Sequence, residues 1–209
     1  MASTIIALFD RLGWDPAAVA ALLAVIPVTE IKGAVLYVAA RGTAVWRGAF
    51  AAYLSSVMLA ALLCVTVPVT LAFVRRIPFL KKATAFLTDR LGARADRIAA
   101  NAEKGGEKRV GSRLFGVFAF VALPLPLTGI WAGALLAALL GLSSKDTFFA
   151  LAAGNFSAAG IVLTVALLAG EKADFVFDVF LCVALAALFF AILKSFFSRR
   201  RRSRAPKGA

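Results

Sequence analysis

The sequence predicts an all-α, polytopic integral membrane protein. It is expected to hold two inverted repeats, each a Pro-broken re-entrant helical hairpin plus a transmembrane helix, and an extra C-terminal transmembrane helix. Three observations predict this. Of the 209 residues 62% are hydrophobic, where a soluble domain is nearer half, and the mean hydropathy is +0.89. The apolar residues also run in long uncharged stretches, 48–74, 114–144 and 147–170, each at or above the roughly 20 residues a helix needs to cross a bilayer. Finally, two apolar segments are interrupted by proline and glycine at matching positions, around Pro27 and around Pro126.

The net charge is +13, but most Lys and Arg fall in two blocks, 75–113 and 194–207. Basic blocks that flank membrane spans set orientation and meet anionic headgroups. A nucleic-acid partner would need a soluble basic domain, and none is present, so none is expected. Cys64 and Cys182 both sit inside apolar segments with no CxxC or zinc spacing, and there is no histidine. That absence removes Ser–His and Cys–His triads, HExxH zinc sites and histidine proton relays; no enzymatic activity, metal or cofactor is expected. No basic stretch precedes the first apolar one, so a cleaved signal peptide is not expected.

Residues 1–198 read as one membrane domain. Within 1–14, Ile5, Leu8, Phe9 and Leu12 keep helical spacing, which with Trp14 predicts a short helix lying in the interface. Residues 17–41 form the first hairpin, broken by Pro27, Thr29, Glu30, Lys32 and Gly33. A span at 47–74 follows, with Pro68 near its end. The connection 75–113 is placed on the cytoplasmic side. In it Phe79, Ala83, Phe86, Leu87, Leu91, Ala95 and Ile98 line one helical face opposite Lys81, Lys82, Thr88 and Arg97, an amphipathic surface helix, and a flexible stretch is expected at 103–108. Segment 114–144 is broken by Pro124, Pro126, Gly129 and Gly133. As one straight helix it would be about 46 Å long, too long for a core of about 30 Å. Spans at 146–170 and 175–196 follow, and 199–209 is a basic tail expected to be disordered.

Residues 27–42 align without gaps on 126–141, an offset of 99 residues, with Pro27/Pro126, Thr29/Thr128, Ile31/Ile130, Leu36/Leu135, Ala39/Ala138 and Gly42/Gly141 identical. Charge parity then shapes the second segment. If both basic blocks are cytoplasmic, an even number of crossings separates Arg113 from Lys194. The spans 146–170 and 175–196 already supply two. Residues 114–144 should therefore enter from the cytoplasm, turn near Pro126 to Gly129 and return. Residues 17–41 do the same from the other side, because the single span 47–74 reverses direction. The expected location is the inner (plasma) membrane, multi-pass, with the N-terminus outside and the C-terminus cytoplasmic. Paired Pro/Gly-interrupted segments of this kind point to a midplane binding site, and non-helical backbone at that depth must be satisfied by protein or water.

Glu30 lies about 20 Å of helix into its segment, deep in the membrane, where a carboxylate costs several kcal/mol unless paired, protonated or facing water. Lys32 would point away from it in a regular helix; an unwound turn from Pro27 to Gly33 would bring the two together. The pair reads either as a proton- or cation-coupling site or as a structural ion pair at the hairpin tip. Thr29 and Thr128 read as turn-satisfying hydroxyls or substrate contacts, in company with Pro124, Pro126 and Trp131. Gly129 and Gly133 form a GxxxG spacing that permits close helix approach. Asn155 is a buried amide that lines a pathway or bonds a neighbouring helix. Arg41 and Arg47 read as interfacial anchors.

Residues 26–34, Ile26-Pro-Val-Thr-Glu-Ile-Lys-Gly-Ala34, resemble the P-x-x-E-[IL]-[RK]-G-A signature of the small multidrug-export protein family. Residues 122–134, with Pro124-Leu-Pro-Leu-Thr-Gly-Ile-Trp-Ala-Gly133, resemble its P-L-P-x-T-G-x-W-x-G motif. The family is a distant relative of the DedA superfamily, so the resemblance implies two facing re-entrant hairpins and either proton-coupled transport or lipid-carrier flipping. On it Glu30 matches the acidic position of the first hairpin. Lys32 stands where Arg is usual, Leu36 where a second Pro is common, and the second hairpin lacks the Arg residues of DedA proteins. The expectation is a small membrane transporter, a proton-coupled exporter of small cationic, drug-like compounds. The alternatives are a flippase or scramblase for an anionic carrier lipid and a non-transporting membrane scaffold. Expected partners are membrane lipids, a small-molecule or lipid substrate, and a second copy of the chain. The aromatic candidates for contacting a drug-like cation are Tyr37, Trp46, Tyr53 and Trp131.

Overall fold

Among the described residues of this computed structural model are the helices α1 (Pro16–Val25), α2 (Glu30–Arg41), α3 (Val45–Arg76), α4 (Gly106–Ala122), α5 (Ile130–Leu139) and α6 (Ser144–Ala169). Described are residues 9, 13–42, 44–76, 106–125, 128–172, 175–180, 182, 183, 185, 186 and 189; all of those from 175 onward are helical. Pro126, the rest of the expected interfacial helix in 1–14, the amphipathic surface helix between 79 and 98, most of the span 175–196 and the tail 199–209 lie outside the described residues.

Each helix starts and stops where its local chemistry asks. Asp15 caps α1, its carboxylate accepting from the Ala17 N–H at 2.7 Å, and Pro16 fills the first helical position, where no N–H is needed. That hydrogen bond and, after it, the neighbouring Arg47 guanidinium hold the Asp15 carboxyl below its ordinary pKa. Ile26 is extended (φ −70°, ψ 128°) because the residue before a proline is driven out of the helical region. The chain turns through Pro27 to Thr29 and resumes as α2, which stops at Gly42 with φ 67°, a left-handed position that favours glycine. Ser143 caps α6 by accepting from the Asp146 N–H.

Several boundaries differ from expectation. The span given as 47–74 is Val45–Arg76, and that given as 146–170 is Ser144–Ala169, followed by a 3-10 turn at Gly170–Lys172. Residues 106–113, assigned to the connection and in part to a flexible stretch, are the first turns of α4. Their charges suggested a loop, yet a helix that begins at a membrane surface can carry Lys and Arg with their heads toward water. Arg113 donates to the Leu140 carbonyl at 3.2 Å, which puts the start of α4 beside the end of α5.

Pro68 sits inside α3, toward its end. Proline leaves the carbonyl four residues back without its helical donor, here that of Cys64. The Ser144 hydroxyl donates to that carbonyl at 3.1 Å, so the defect in α3 becomes an anchor for the start of α6.

Burial is inverted relative to a water-soluble protein. Along α3 the residues Trp46, Phe50, Leu54, Met58, Leu62, Val65, Val69 and Phe73 form an exposed apolar ridge, while Glu30, Lys32, Ser56 and Asn155 are buried. Among the described residues two helices, Val45–Val74 and Ser144–Ala169, are long and apolar enough to cross a bilayer. A contiguous apolar surface of this extent is stable only against lipid or another apolar body. The chain is a helical membrane protein.

Two cores hold the helices. In one, Val19 and Leu23 of α1 and Ile31, Val35 and Val38 of α2 pack with Ala52, Val162, Leu163 and Phe177. In the other, Val117 and Val121 of α4 and Ile130, Ala134 and Ala137 of α5 pack with Leu151, Leu59, Leu63 and Cys64. Each helical hairpin thus rests on the start of the long helix that follows it and on the far half of the other one. Gly42 and Gly141 have φ of 67° and 69°, and two contacts between α3 and α6, Tyr53 Oη to the Ala152 carbonyl and Asn155 Nδ2 to Ser56 Oγ, join residues 99 apart.

Candidate functional site at the hairpin tips

The site begins with an unusual backbone. Glu30 has φ 49°, a left-handed conformation that costs a non-glycine residue about 1–3 kcal/mol and persists only where the surroundings enforce it. The Glu30 N–H bonds the Ile26 carbonyl at 2.9 Å, and the Gly33 N–H bonds the Thr29 carbonyl at 2.8 Å, so backbone bonds hold the tip on both sides of Glu30. The Thr29 hydroxyl donates back to the Leu23 carbonyl at 2.6 Å, closing the end of α1. Gly33 is buried, and a Cβ there would crowd the Thr29 side chain at 2.9 Å.

This turn brings the two charges onto one side. Lys32 Nζ lies 3.7 Å from Glu30 Oε2, with the side chains 0% and 3% exposed. The ammonium then reaches into the second hairpin, donating to the Leu125 carbonyl at 2.8 Å and to Thr128 Oγ1 at 3.0 Å. In the opposite direction, Trp131 Nε1 of α5 donates to the Val25 carbonyl at the end of α1 at 3.1 Å. The tips therefore hold each other by crossed side-chain-to-backbone bonds. Val25 is the last residue of α1 and Leu125 follows the end of α4, where helical donors run out.

Gly129 completes the seat. It is buried in extended backbone before α5, and a Cβ placed on it would overlap the Glu30 carboxylate. The acid of one hairpin therefore lies directly on the backbone of the other. Gly133, the second glycine of the GxxxG pair, packs elsewhere, against Val121 and Leu151. Thr128 Oγ1 is 3.1 Å from the Leu123 carbonyl and 2.8 Å from that of Leu125, so its single proton serves the broken stretch while its lone pairs remain for Lys32.

The sequence-predicted residues Thr29, Glu30, Lys32, Gly33, Thr128, Gly129 and Trp131 meet here. Pro27 and Pro124 flank the two breaks and are exposed. Asn155 does not join them; it lies in the α3–α6 contact, 1% exposed, and bonds Ser56, which is wholly buried. Its Oδ1 has no partner among the described residues. Sequence reasoning missed Ser56, although the repeat offset that maps Asn155 onto it was the signal that could have found it. It also missed the carbonyls of Val25 and Leu125, which carry no side-chain signature. Arg47 pairs with Asp15. Trp46 and Tyr53 line a separate apolar pocket of about 330 Å³ with Phe50 and Phe156, and Tyr37 of α2 is buried with its ring edge-on to that of Phe9.

No curated protein and no solved structure matches the chain. A family model described as "Putative small multi-drug export protein" matches residues 30–162, which begins at Glu30 and takes in both the Lys32–Thr128 contact and the Ser56–Asn155 contact. The chain belongs to the small multi-drug export protein family.

Proposed function

We propose that this chain is a membrane exporter without an enzymatic step, in which two inverted repeats re-enter the bilayer from opposite faces and meet at Glu30. A residue on a two-fold axis touches its own equivalent. Tyr53 with Ala152, Ser56 with Asn155 and Glu30 with Gly129 are such pairs at the repeat offset, which supports an axis through the α3–α6 crossing and the hairpin tips. Asp15 at the start of α1 pairs with Arg47 near the start of α3, and Ser144 at the start of α6 bonds Cys64. The stretch of α3 between those two anchor levels is about 26 Å long, within a few ångströms of the hydrocarbon thickness of about 30 Å. The tips then fall near the midplane, with the N-terminus outside and the C-terminal tail in the cytoplasm of a cell whose inner membrane holds the protein. Bilayer lipids cover the apolar ridge of α3, and a second copy is a candidate neighbour.

The observation that carries the reading is the buried carboxylate itself. A strained, buried acid against the opposing hairpin is costly and is retained where the charge is used. Glu30 exchanges the coupling proton, Lys32 holds the tips closed when Glu30 is charged, and the exported compound is a small cation. In liposomes with an imposed proton gradient, the wild-type protein moves a cationic dye with counterflow of protons. Glu30→Gln, inserted equally well, abolishes the coupled flux. Full flux in that variant rules out the coupling role.

A further inference from the structure

Resting on the transport reading above, we infer that the place filled by Lys32 Nζ is a built binding site for a primary ammonium group, and that an amine on the exported compound takes it when Lys32 withdraws. Among the described residues the position is framed by three acceptors from two hairpins: the Leu125 carbonyl at 2.8 Å, Thr128 Oγ1 at 3.0 Å and Glu30 Oε2 at 3.7 Å. A primary ammonium has three N–H donors, matching that number. The first two distances are ordinary N–H···O lengths, and the third is an ion-pair separation. Among the described residues an alkali cation would find too few oxygens here, and a quaternary ammonium would offer methyl groups where N–H is needed.

The electrostatics favour a cation independently of Lys32. The Leu125 carbonyl and Thr128 follow the C-terminal end of α4, the negative end of its dipole. Among the described residues, Glu30 is the acid at this place, seated by Gly129 so that it cannot retreat toward α5. The site also has a route of access. Lys32 is wholly buried, but Leu125, whose carbonyl it bonds, is exposed, as are Pro124 and Trp131 of the same hairpin, so loosening the crossed tip bonds opens the site from the second hairpin's side. Lys32 is thus a tethered stand-in for the cargo. It keeps the site neutral when empty and is displaced by the group it imitates.

The test removes the tether and adds back its missing piece. Lys32→Ala deletes a propylammonium unit. The purified variant is melted in detergent in sodium, propylammonium, tetramethylammonium or propanol buffers of equal ionic strength. The expected result is a lowered melting temperature that propylammonium alone raises by several degrees, in a concentration-dependent way. The rescue disappears in Lys32→Ala/Glu30→Gln and is absent in Lys32→Met, where the side chain still fills the space. No rescue, or equal rescue by tetramethylammonium, overturns the proposal. Should the variant aggregate in sodium buffer, purification in the same amines is the readout. Monodisperse protein in propylammonium and not in tetramethylammonium supports the site; aggregation in both overturns it. The melting assay needs no transport. Rescue without dye flux in the wild type would therefore leave the ammonium site standing and remove the exporter reading, and the converse would do the reverse.

Discussion

The two hairpins share an outline and differ in what their tips present. In the first, α1 and α2 are separated by a short turn, and residues 30–38 are buried without interruption. Its tip offers a carboxylate and an ammonium. In the second, the break from Leu123 to Gly129 is longer, α5 keeps Trp131 and Leu135 exposed, and its tip offers carbonyls, a hydroxyl and a bare glycine. One hairpin supplies charge and the other supplies the polar backbone that receives it. A symmetric pair of acids would repel and leave each uncompensated in a low-dielectric place. Placing both charges on one hairpin, and glycine on the other where it faces the acid, avoids that cost.

The comparison breaks most visibly at Lys32. Lys32→Met leaves the Glu30 carboxylate buried without its partner, and removing one member of a buried pair costs about 3–5 kcal/mol. Thermal unfolding in detergent should show the largest loss of any substitution at the tips. Gly129→Ala comes next. Its backbone (φ −95°) accepts alanine, so the penalty is the overlap with Glu30 alone, about 1–3 kcal/mol. Shortening the acid in Gly129→Ala/Glu30→Asp should recover part of it, a non-additivity expected only if the two groups touch. Gly116→Ala, in open space on α4, is the neutral control. Ser56→Ala has the smallest effect. It removes the partner of Asn155 in the α3–α6 contact, and interhelical bonds of this kind average about 0.6 kcal/mol in membrane proteins. It should lower stability slightly and leave dye flux intact, because it lies away from the tips.

How much of this was legible depended on whether a feature lives in side chains or in backbone. The breaks at Pro27 and at Pro124 to Gly129 were readable because proline and glycine act locally. So was the matched pair Gly42 and Gly141, which end α2 and follow α5. The encounter of Glu30 with Lys32 was readable only as a condition on the turn, since a regular helix would have parted them; the left-handed Glu30 backbone meets that condition. Glycine's role at 129 was read as helix packing, because sequence cannot tell which neighbour faces a missing Cβ; only Gly133 packs that way. The start of α4 was obscured by its charges, and the Cys64 carbonyl freed by Pro68 had no sequence signal of its partner, Ser144. The acceptors of Lys32 and Trp131 are carbonyls, to which every residue type contributes alike.

The claim on which the account turns is that the hairpins enter from opposite faces and meet at their tips. It is tested most directly by single cysteines, in a background lacking Cys64 and Cys182, at exposed Trp14 and Ala44 flanking the first hairpin and at Gly111 and Lys145 flanking the second. With a membrane-impermeant thiol reagent on intact cells, positions 14 and 44 should react, and 111 and 145 should react only after permeabilisation. Reaction of 111 and 145 from opposite faces would make the second hairpin a full crossing and contradict the account.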